Sequence, residues 1–339
     1  MDNIHPNGAL VQLNQVCNYK CKHCSITAPH ITQKSISNEL DYDNWINLLH
    51  NLKQSGIKRI RFTGGEPLLN KDLFKICELA RTLGFDISMV TNGIAINSTI
   101  VQWIKETEFS SIWISIYAFP REKYELISGI KNSFNRVICN IELLVNNNIN
   151  VGLYYSVGHT NFEIDDFLDY AIYAGIKEIR FIQVINHGRA LETGALRAMN
   201  DEELTCFLDN LIRRKNELEG ITIKVTLKSG QLSLFRSKGF LVPENVSCKI
   251  GLENLWTVDS FGTVSGCCLY LNKGRLDFFN AQNDADSRKW MNYNSESVLQ
   301  KLNLSQDSML SCPALNAEEQ QTISDPKEFA CPVTYCKMI

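Results

Sequence analysis

Cys17-Asn18-Tyr19-Lys20-Cys21-Lys22-His23-Cys24 and Arg61-Phe62-Thr63-Gly64-Gly65-Glu66-Pro67 are the two stretches on which the reading of this chain turns. The first has the spacing C-x3-C-x2-C and follows directly on a strand-like run, Ala9–Val16. Three thiolates on so tight a loop can hold three irons of a [4Fe–4S] cluster, leaving the fourth iron without a protein ligand. An open metal position marks a catalytic rather than a structural site, because a cosubstrate can bind there. A zinc site would want a fourth Cys or His. His23 lies between two of the thiols, where the short loop would have to serve both at once. A zinc knuckle or three unrelated thiols are the competing readings.

The second stretch closes another strand-like run, Lys58–Thr63, ahead of a helical pattern. Paired glycines let a ligand approach the backbone closely, and Glu66 offers a carboxylate to an ammonium group. Pro67 stops strand pairing and starts the exit toward the helix. Alone, such a turn has no chemistry. At the C-terminal end of a strand beside the one feeding the cysteine loop, it lies where α/β folds build ligand sites.

Outward from these two stretches, short β-rich runs alternate with amphipathic ones. Further strands are expected at Asp86–Thr91, Ser111–Tyr117, Asn150–Val157 and Glu178–Ile185. Helical patterns cover Tyr42–Ser55, Lys71–Leu83, Ser98–Glu106, Ser133–Asn146 and Ile164–Ala174. Asp41 and Asn70 suit the N-caps of the first two, and Gly56, Gly84 and Gly175 stand where C-cap glycines do. Six strands separated by helices imply a parallel α/β sheet, either a partial (β/α)6 barrel or an open sheet. After Asn200 the alternation fades into one more helix, Asp201–Leu218, and a possible strand, Thr222–Leu227.

The chain has 339 residues, a net charge of −3 and 44% hydrophobic residues. That gives no electrostatic reason to expect nucleic acid or an anionic membrane as partner. No run approaches the ~18 apolar residues of a membrane span, and the N-terminus has no signal-like pattern, so a cytoplasmic protein is expected. Twelve cysteines in a reducing compartment then need a reason other than disulfides. Cys77, Cys139 and Cys206 lie in helical patterns among apolar neighbours and are expected to be buried packing.

C-x3-C-x2-C, the later Gly-Gly-Glu-Pro and then Thr91-Asn92-Gly93 after the third strand together resemble the radical S-adenosylmethionine (SAM) superfamily. The resemblance covers residues 9–226 and implies the partial (β/α)6 barrel. It further implies that Cys17, Cys21 and Cys24 ligate a [4Fe–4S] cluster whose unique iron is chelated by SAM. Gly64, Gly65 and Glu66 would meet the methionyl amino group, with Asn92 and Ser115 near the nucleoside. An electron from a cluster poised below about −400 mV would split SAM to a 5′-deoxyadenosyl radical that abstracts a substrate hydrogen. A flavodoxin or ferredoxin would supply the electron. Where relatives often have Ser-x-Asp, this chain has Ser115-Ile116-Tyr117, and Asn186-His187-Gly188-Arg189-Ala190 resembles a Gly-Arg-Ala turn of some relatives. Arg189 is equally a carboxylate or phosphate ligand and a surface loop arginine.

Behind a linker over 227–245, residues 246–339 are expected to form a small cysteine-rich domain. A hairpin is expected at Leu255–Asp259 and Thr263–Cys267 about a turn at Ser260-Phe261-Gly262, and C-x13-G-x4-C from Cys248 to Cys267 resembles the opening of a SPASM or Twitch auxiliary-cluster domain. The resemblance implies one auxiliary [4Fe–4S] cluster on Cys248, Cys267 and two of Cys312, Cys331 and Cys336, with zinc as the competing reading. Cys268, on the opposite face of its strand from Cys267, is either packing or a hydrogen-atom donor. The expected substrate is a ribosomally made peptide to be crosslinked, epimerised or oxidised; the alternative is a small molecule such as an aminosugar or cyclitol. Because the barrel begins by residue 9, a separate leader-peptide recognition protein is an expected partner.

Overall fold

Seven parallel strands follow one another in space in the order of the sequence: β1 (Gly8–Gln12), β2 (Arg59–Thr63), β3 (Asp86–Thr91), β4 (Ser111–Ile116), β5 (Val151–Val157), β6 (Glu178–Gln183) and β7 (Thr222–Thr226). The computed structural model describes residues 7–32, 39–226, 231–242, 255–265, 277–280 and 335–338. The helices between the strands are α1 (Tyr42–Gln54), α2 (Leu73–Thr82), α3 (Ser98–Glu106), α4 (Arg121–Ser128), α5 (Phe134–Asn146), α6 (Asp165–Tyr173), α7 (Arg189–Thr193) and α8 (Asp201–Arg213). This is the expected parallel α/β fold, with Thr222–Thr226 making a seventh parallel strand.

Local chemistry explains most boundaries. Asp41 caps α1 by accepting from Asn44 N at 2.9 Å, and the helix buries Trp45, Leu48, Leu49 and Leu52, one stripe at helical spacing. Gly56, Gly84 and Gly175 end their helices at positive φ, as expected. Asn70 does not cap α2. A short 3-10 turn, Pro67–Leu69, comes first, and Asn70 instead accepts from Asp72 N and donates to Leu13 O. The sequence pattern missed α4, whose eight residues bury only Tyr124, Ile127 and Ser128 before Gly129 stops it at φ +72.

The strands alternate in burial, although parallel strands covered on both faces run continuously apolar. Ile60, Phe62, Met89, Ile114, Leu153, Tyr155, Ile179, Phe181, Ile223 and Val225 are fully buried. The opposite face holds half-buried Arg61, Tyr154, Arg180 and Lys224. There Tyr154 Oη accepts from Arg61 Nη1 at 2.7 Å, and both guanidinium groups lie over the Trp113 ring. The helices therefore pack one side of the sheet, and a polar, aromatic lining occupies the concave side.

Cys77 is buried on α2 as expected. Cys139 and Cys206 correct the expectation: both are exposed. The buried stripes of their helices are Val137, Asn140, Ile141 and Leu144 on α5, and Leu204, Phe207, Leu208 and Leu211 on α8, and each cysteine falls outside its stripe.

The remaining described elements are α9 (Leu232–Ser237), β8 (Phe240–Leu241), β9 (Leu255–Val258), β10 (Thr263–Ser265), β11 (Asp277–Asn280) and β12 (Tyr335–Met338). The expected hairpin is present in β9 and β10, turned by Asp259, whose carboxylate accepts from Phe261 N and Thr263 N, and by Gly262 at φ +81. These strands extend the same sheet. β9 pairs parallel with β1, and β12 lies antiparallel between β7 and β8. No described helix is long and apolar enough to cross a membrane.

Phe181 packs against Tyr155, Phe167 and Phe207, linking β6 to α6 and α8. Phe181→Ala is expected to lower unfolding free energy by about 3–5 kcal/mol, read as a reduced midpoint in anaerobic denaturant titration.

Candidate active site

The segment Asn14–Val16 leaves β1 and lies directly on the Gly64–Glu66 turn. Gly65 N donates to Asn14 O at 2.8 Å and Glu66 N to Val16 O at 2.9 Å, continuing the β1–β2 pairing past both strand ends. A Cβ at Gly65 would lie 2.1 Å from Val16 O, and one at Gly64 2.6 Å from Asn14 O. Both glycines are thus required by the chain's own backbone, a tighter demand than the ligand approach that the sequence suggests.

From there the cysteine loop is pinned on every side. Cys17 N donates to Pro29 O and Ile31 N to Cys17 O, closing the loop with a bridge between Cys17 and His30. Lys20 N and Lys22 N donate to Ser128 O and Ile127 O at the end of α4. After β6, Arg189 N donates to Cys24 O, and Thr193 Oγ1 donates to Lys22 O. Gly188 is forced here: φ is +56 and a Cβ would lie 2.6 Å from both Cys24 O and Ser25 O. The Asn186–Ala190 segment is therefore a clamp on the cysteine loop. Arg189 Nη2 donates to Ala28 O at 2.8 Å, whereas its buried Nε has no hydrogen-bond partner among the described residues.

Glu66 is 1% exposed and reaches across to the end of β3. Its carboxylate accepts from Thr91 Oγ1 at 2.5 Å, Asn92 N at 2.8 Å and Leu68 N at 3.2 Å. Burial nevertheless pushes its carboxyl up to about 7, overriding these hydrogen bonds. Asn92 donates to Asn18 Oδ1 at 2.7 Å and lies 3.9 Å from Cys17 Sγ, so in this structure its side chain serves the cysteine loop. Asn140 Nδ2 in turn holds Gly93 O at 2.8 Å. Ser115 sits half-buried on β4, in register with Tyr154 of β5.

Cys17, Cys21 and Cys24 are free thiols brought together on this loop. Burial pushes Cys17 up to about 12 and Cys21 well above its usual value, and the neighbouring Cys24 adds to both shifts. Such a donor set resists ionisation until a cation arrives, which fits metal ligation. No three described His, Cys, Asp or Glu side chains converge closely enough for a single metal ion. Burial, then the Arg189 charge, lowers His23 to about 4. Its ring lies 4.8 Å from that of Tyr117.

Residues 11–173 match the family model of the radical SAM superfamily. This segment is a radical SAM domain. The family implies a [4Fe–4S] cluster and SAM, and the matched residues include Cys17, Cys21, Cys24 and Glu66. In sequence the chain is similar to a probable GTP 3′,8-cyclase of Sulfurisphaera tokodaii, 26% identical over 178 residues, 51% of this chain and 55% of that protein. It is also similar to an Fe-coproporphyrin III synthase of Methanosarcina barkeri, 29% identical over 174 residues, 51% of this chain and 43% of that one. The chain spans about half the length of these curated relatives. In fold it is similar to Streptococcus suis SuiB bound to SAM, with a TM-score of 0.73 at 14% identity over 95% of this chain and 76% of that one. SuiB bound to precursor peptide SuiA gives 0.71 over 97% and 76%.

Cys248, Cys267, Cys268, Cys312 and Cys331 lie outside the described residues. Cys336 is on β12, its backbone paired with Val225 of β7, on the opposite flank of the sheet from the β9–β10 hairpin. No sequence pattern pointed to Asn14, Asn18 or Asn140, whose hydrogen bonds fix the turns around the site; polar residues between motifs carry no periodic signal.

Glu66 sets a pH dependence. A carboxyl raised to about 7 is neutral below that pH and cannot pair with an ammonium. SAM affinity is expected to strengthen as pH rises through about 7, read by anaerobic calorimetry at pH 6 and 8. Glu66→Gln is expected to flatten the dependence and weaken binding at pH 8 by roughly tenfold, about 1.4 kcal/mol. Gly65→Ala, blocked by Val16 O, is expected to lower the iron bound per chain at the cysteine loop.

Proposed function

We propose that this chain is a radical SAM enzyme that reductively cleaves SAM and abstracts a hydrogen from a ribosomally synthesised peptide, crosslinking, epimerising or oxidising it. The observation that carries the first part is the loop of buried Cys17 and Cys21 and half-buried Cys24 backed by Glu66, a three-thiol donor set beside a carboxylate that suits an amino group. The bound cluster and SAM would supply the electron and the 5′-deoxyadenosyl radical. The chain's own residues position and shield. Glu66 orients the methionyl amino group, the buried Nε–H of Arg189 suits its carboxylate, and the Gly64–Gly65 turn seals the loop against β1. Asn92 and Ser115 line the strand ends facing the nucleoside.

The peptide reading draws on fold likeness to SuiB along nearly the whole chain, since SuiB has been crystallised with its precursor peptide. A small-molecule reading, dehydrogenation or epimerisation, finds support in the names of the sequence relatives, whose likeness covers about half the chain. We further assign residues 246–339 to an auxiliary-cluster domain with Cys248 and Cys267 as ligands. Two of Cys312, Cys331 and Cys336 would complete the set. Cys268 is the proposed hydrogen-atom donor, a flavodoxin or ferredoxin the reducing partner, and a separate recognition protein would present the leader.

Anaerobic, reduced protein with SAM is expected to form 5′-deoxyadenosine, and the Cys17→Ala, Cys21→Ala and Cys24→Ala variants none. With a candidate precursor peptide, mass spectrometry is expected to show either a loss of two mass units or deuterium uptake from heavy water. Formation of 5′-deoxyadenosine that leaves every such peptide unchanged but consumes a small sugar or cyclitol would replace the peptide reading.

A further inference from the structure

Three cations and one carboxylate share the middle of the sheet's concave face. Arg61, Arg180 and Lys224 are half-buried there with Glu178, which accepts from Arg180 Nε at 2.9 Å and from Lys224 Nζ at 2.7 Å. Nearer the N-terminal rim, Arg59 and Asp86 stand in register, one charge opposite the other. Arg61 has no carboxylate partner among the described residues. Other arginines of the molecule do: Arg214 is met by Asp165, Asp169 and Glu217, and Arg197 by Glu203. Positive charges gathered in a half-buried setting repel, and an anion placed among them removes that cost.

Rings and hydroxyls hold the two guanidinium groups in place. Both lie over the Trp113 ring, Arg61 at 5.4 Å and Arg180 at 4.1 Å, and both donate to Tyr154 Oη, at 2.7 and 3.3 Å. Tyr154 stacks on Trp113 with centroids 4.7 Å apart, and Trp113 Nε1 donates to Ser111 Oγ. Gly152 makes room for the indole, since a Cβ there would lie 2.5 Å from it. Arg61 Nε is fixed on Ser88 Oγ at 3.3 Å. What this leaves over is donors. Arg61 Nη2 has no hydrogen-bond partner among the described residues, and Tyr154 Oη, already accepting twice, keeps its own O–H to give. Spare donors beside uncompensated positive charge fit the oxygens of an anion.

We propose that Arg61, with Arg180 and the Tyr154 hydroxyl, forms a subsite on the concave face for an anionic group of the substrate, a carboxylate or a phosphate. The proposal rests on the reading of this chain as an enzyme working beside the cysteine loop, since only then does the concave face receive a substrate. Arg61 lies three residues before Gly64, about 10 Å of strand from the turn that carries Glu66, and Tyr154 is in register with Ser115. An anion anchored at Arg61 leaves the rest of the substrate to extend toward the strand ends. The carbon attacked is then chosen by its distance from the anionic group. In a peptide that group is the side chain of an acidic residue.

The test uses the anaerobically reconstituted full chain carrying 5-fluorotryptophan at its five tryptophans, the Trp113 fluorine signal being the one lost in Trp113→Phe. The probes are N-acetylglutamic acid α-amide and inorganic phosphate. The controls are N-acetylglutamine amide and sodium chloride at matched ionic strength. At least one probe is expected to shift the Trp113 signal saturably, with a Kd on the order of 1 mM, and neither control is. Arg61→Gln is expected to weaken that binding about tenfold while the other tryptophan signals stay in place. Should those signals be lost, Arg61→Lys, which keeps the charge without the fork, carries the test with about threefold weaker binding expected. The proposal is overturned by the absence of a saturable shift in the wild type, by an equal shift from sodium chloride, or by unchanged affinity in the variant that folds. A response to the glutamic acid probe assigns an acidic peptide residue. A response to phosphate alone keeps the subsite and assigns a phosphorylated small molecule. Wild-type protein that forms no 5′-deoxyadenosine from SAM fails the enzyme reading instead, whichever way the fluorine signal moves.

Discussion

The two backbone hydrogen bonds from Gly65 and Glu66 to Asn14 and Val16 are the constraint on which the site depends. They prolong the β1–β2 ladder past both strands, so the cysteine loop starts in register with the turn that carries Glu66. Without side chains at 64 and 65 the two backbones can touch. Any Cβ there would push the loop away from the carboxylate, and the thiols would lose their fixed relation to it.

From that contact the barrel's other strand ends add their own ties. β3 contributes Asn92 to the loop and Thr91 to Glu66, α4 gives two carbonyls, and the turn after β6 sets Gly188 and Arg189 against Cys24 and Ala28. The loop is irregular, yet much of its backbone is hydrogen-bonded, as a buried irregular segment requires. These ties hold Cys17 and Cys21 below the surface on a loop that has no secondary structure of its own. Burial lays an ionisation cost on Cys17 and Cys21 that the charge of a bound cation would offset.

Much of this was legible in the sequence and some was not. The positions of β1 to β6 followed from short apolar runs bounded by glycines and polar turns, and α1 from Asp41 and its apolar stripe. The cysteine spacing and Gly64-Gly65-Glu66 marked the site because both depend on local geometry. Tyr117, Gly188 and Asn140 act through partners far along the chain, and only the fold brings those partners near. Cys139 and Cys206 show the same limit from the other side. Apolar neighbours in sequence do not say which face of a helix a residue takes, and a shift of one position exchanges core for solvent. The pairing of β9 with β1 had no local signal either, since a parallel partner so distant in sequence leaves no pattern in the strand itself.

That pairing has a consequence beyond the hairpin it carries. A partial barrel is an unfinished ring, and its first and last strands each present a row of unpaired amides and carbonyls that invites foreign chains to add on. Here β9 takes the outer side of β1, and β12 takes that of β7. Strands from late in the chain thus act as bumpers against intermolecular β-association. Removing them would expose two adhesive borders on an otherwise intact parallel sheet.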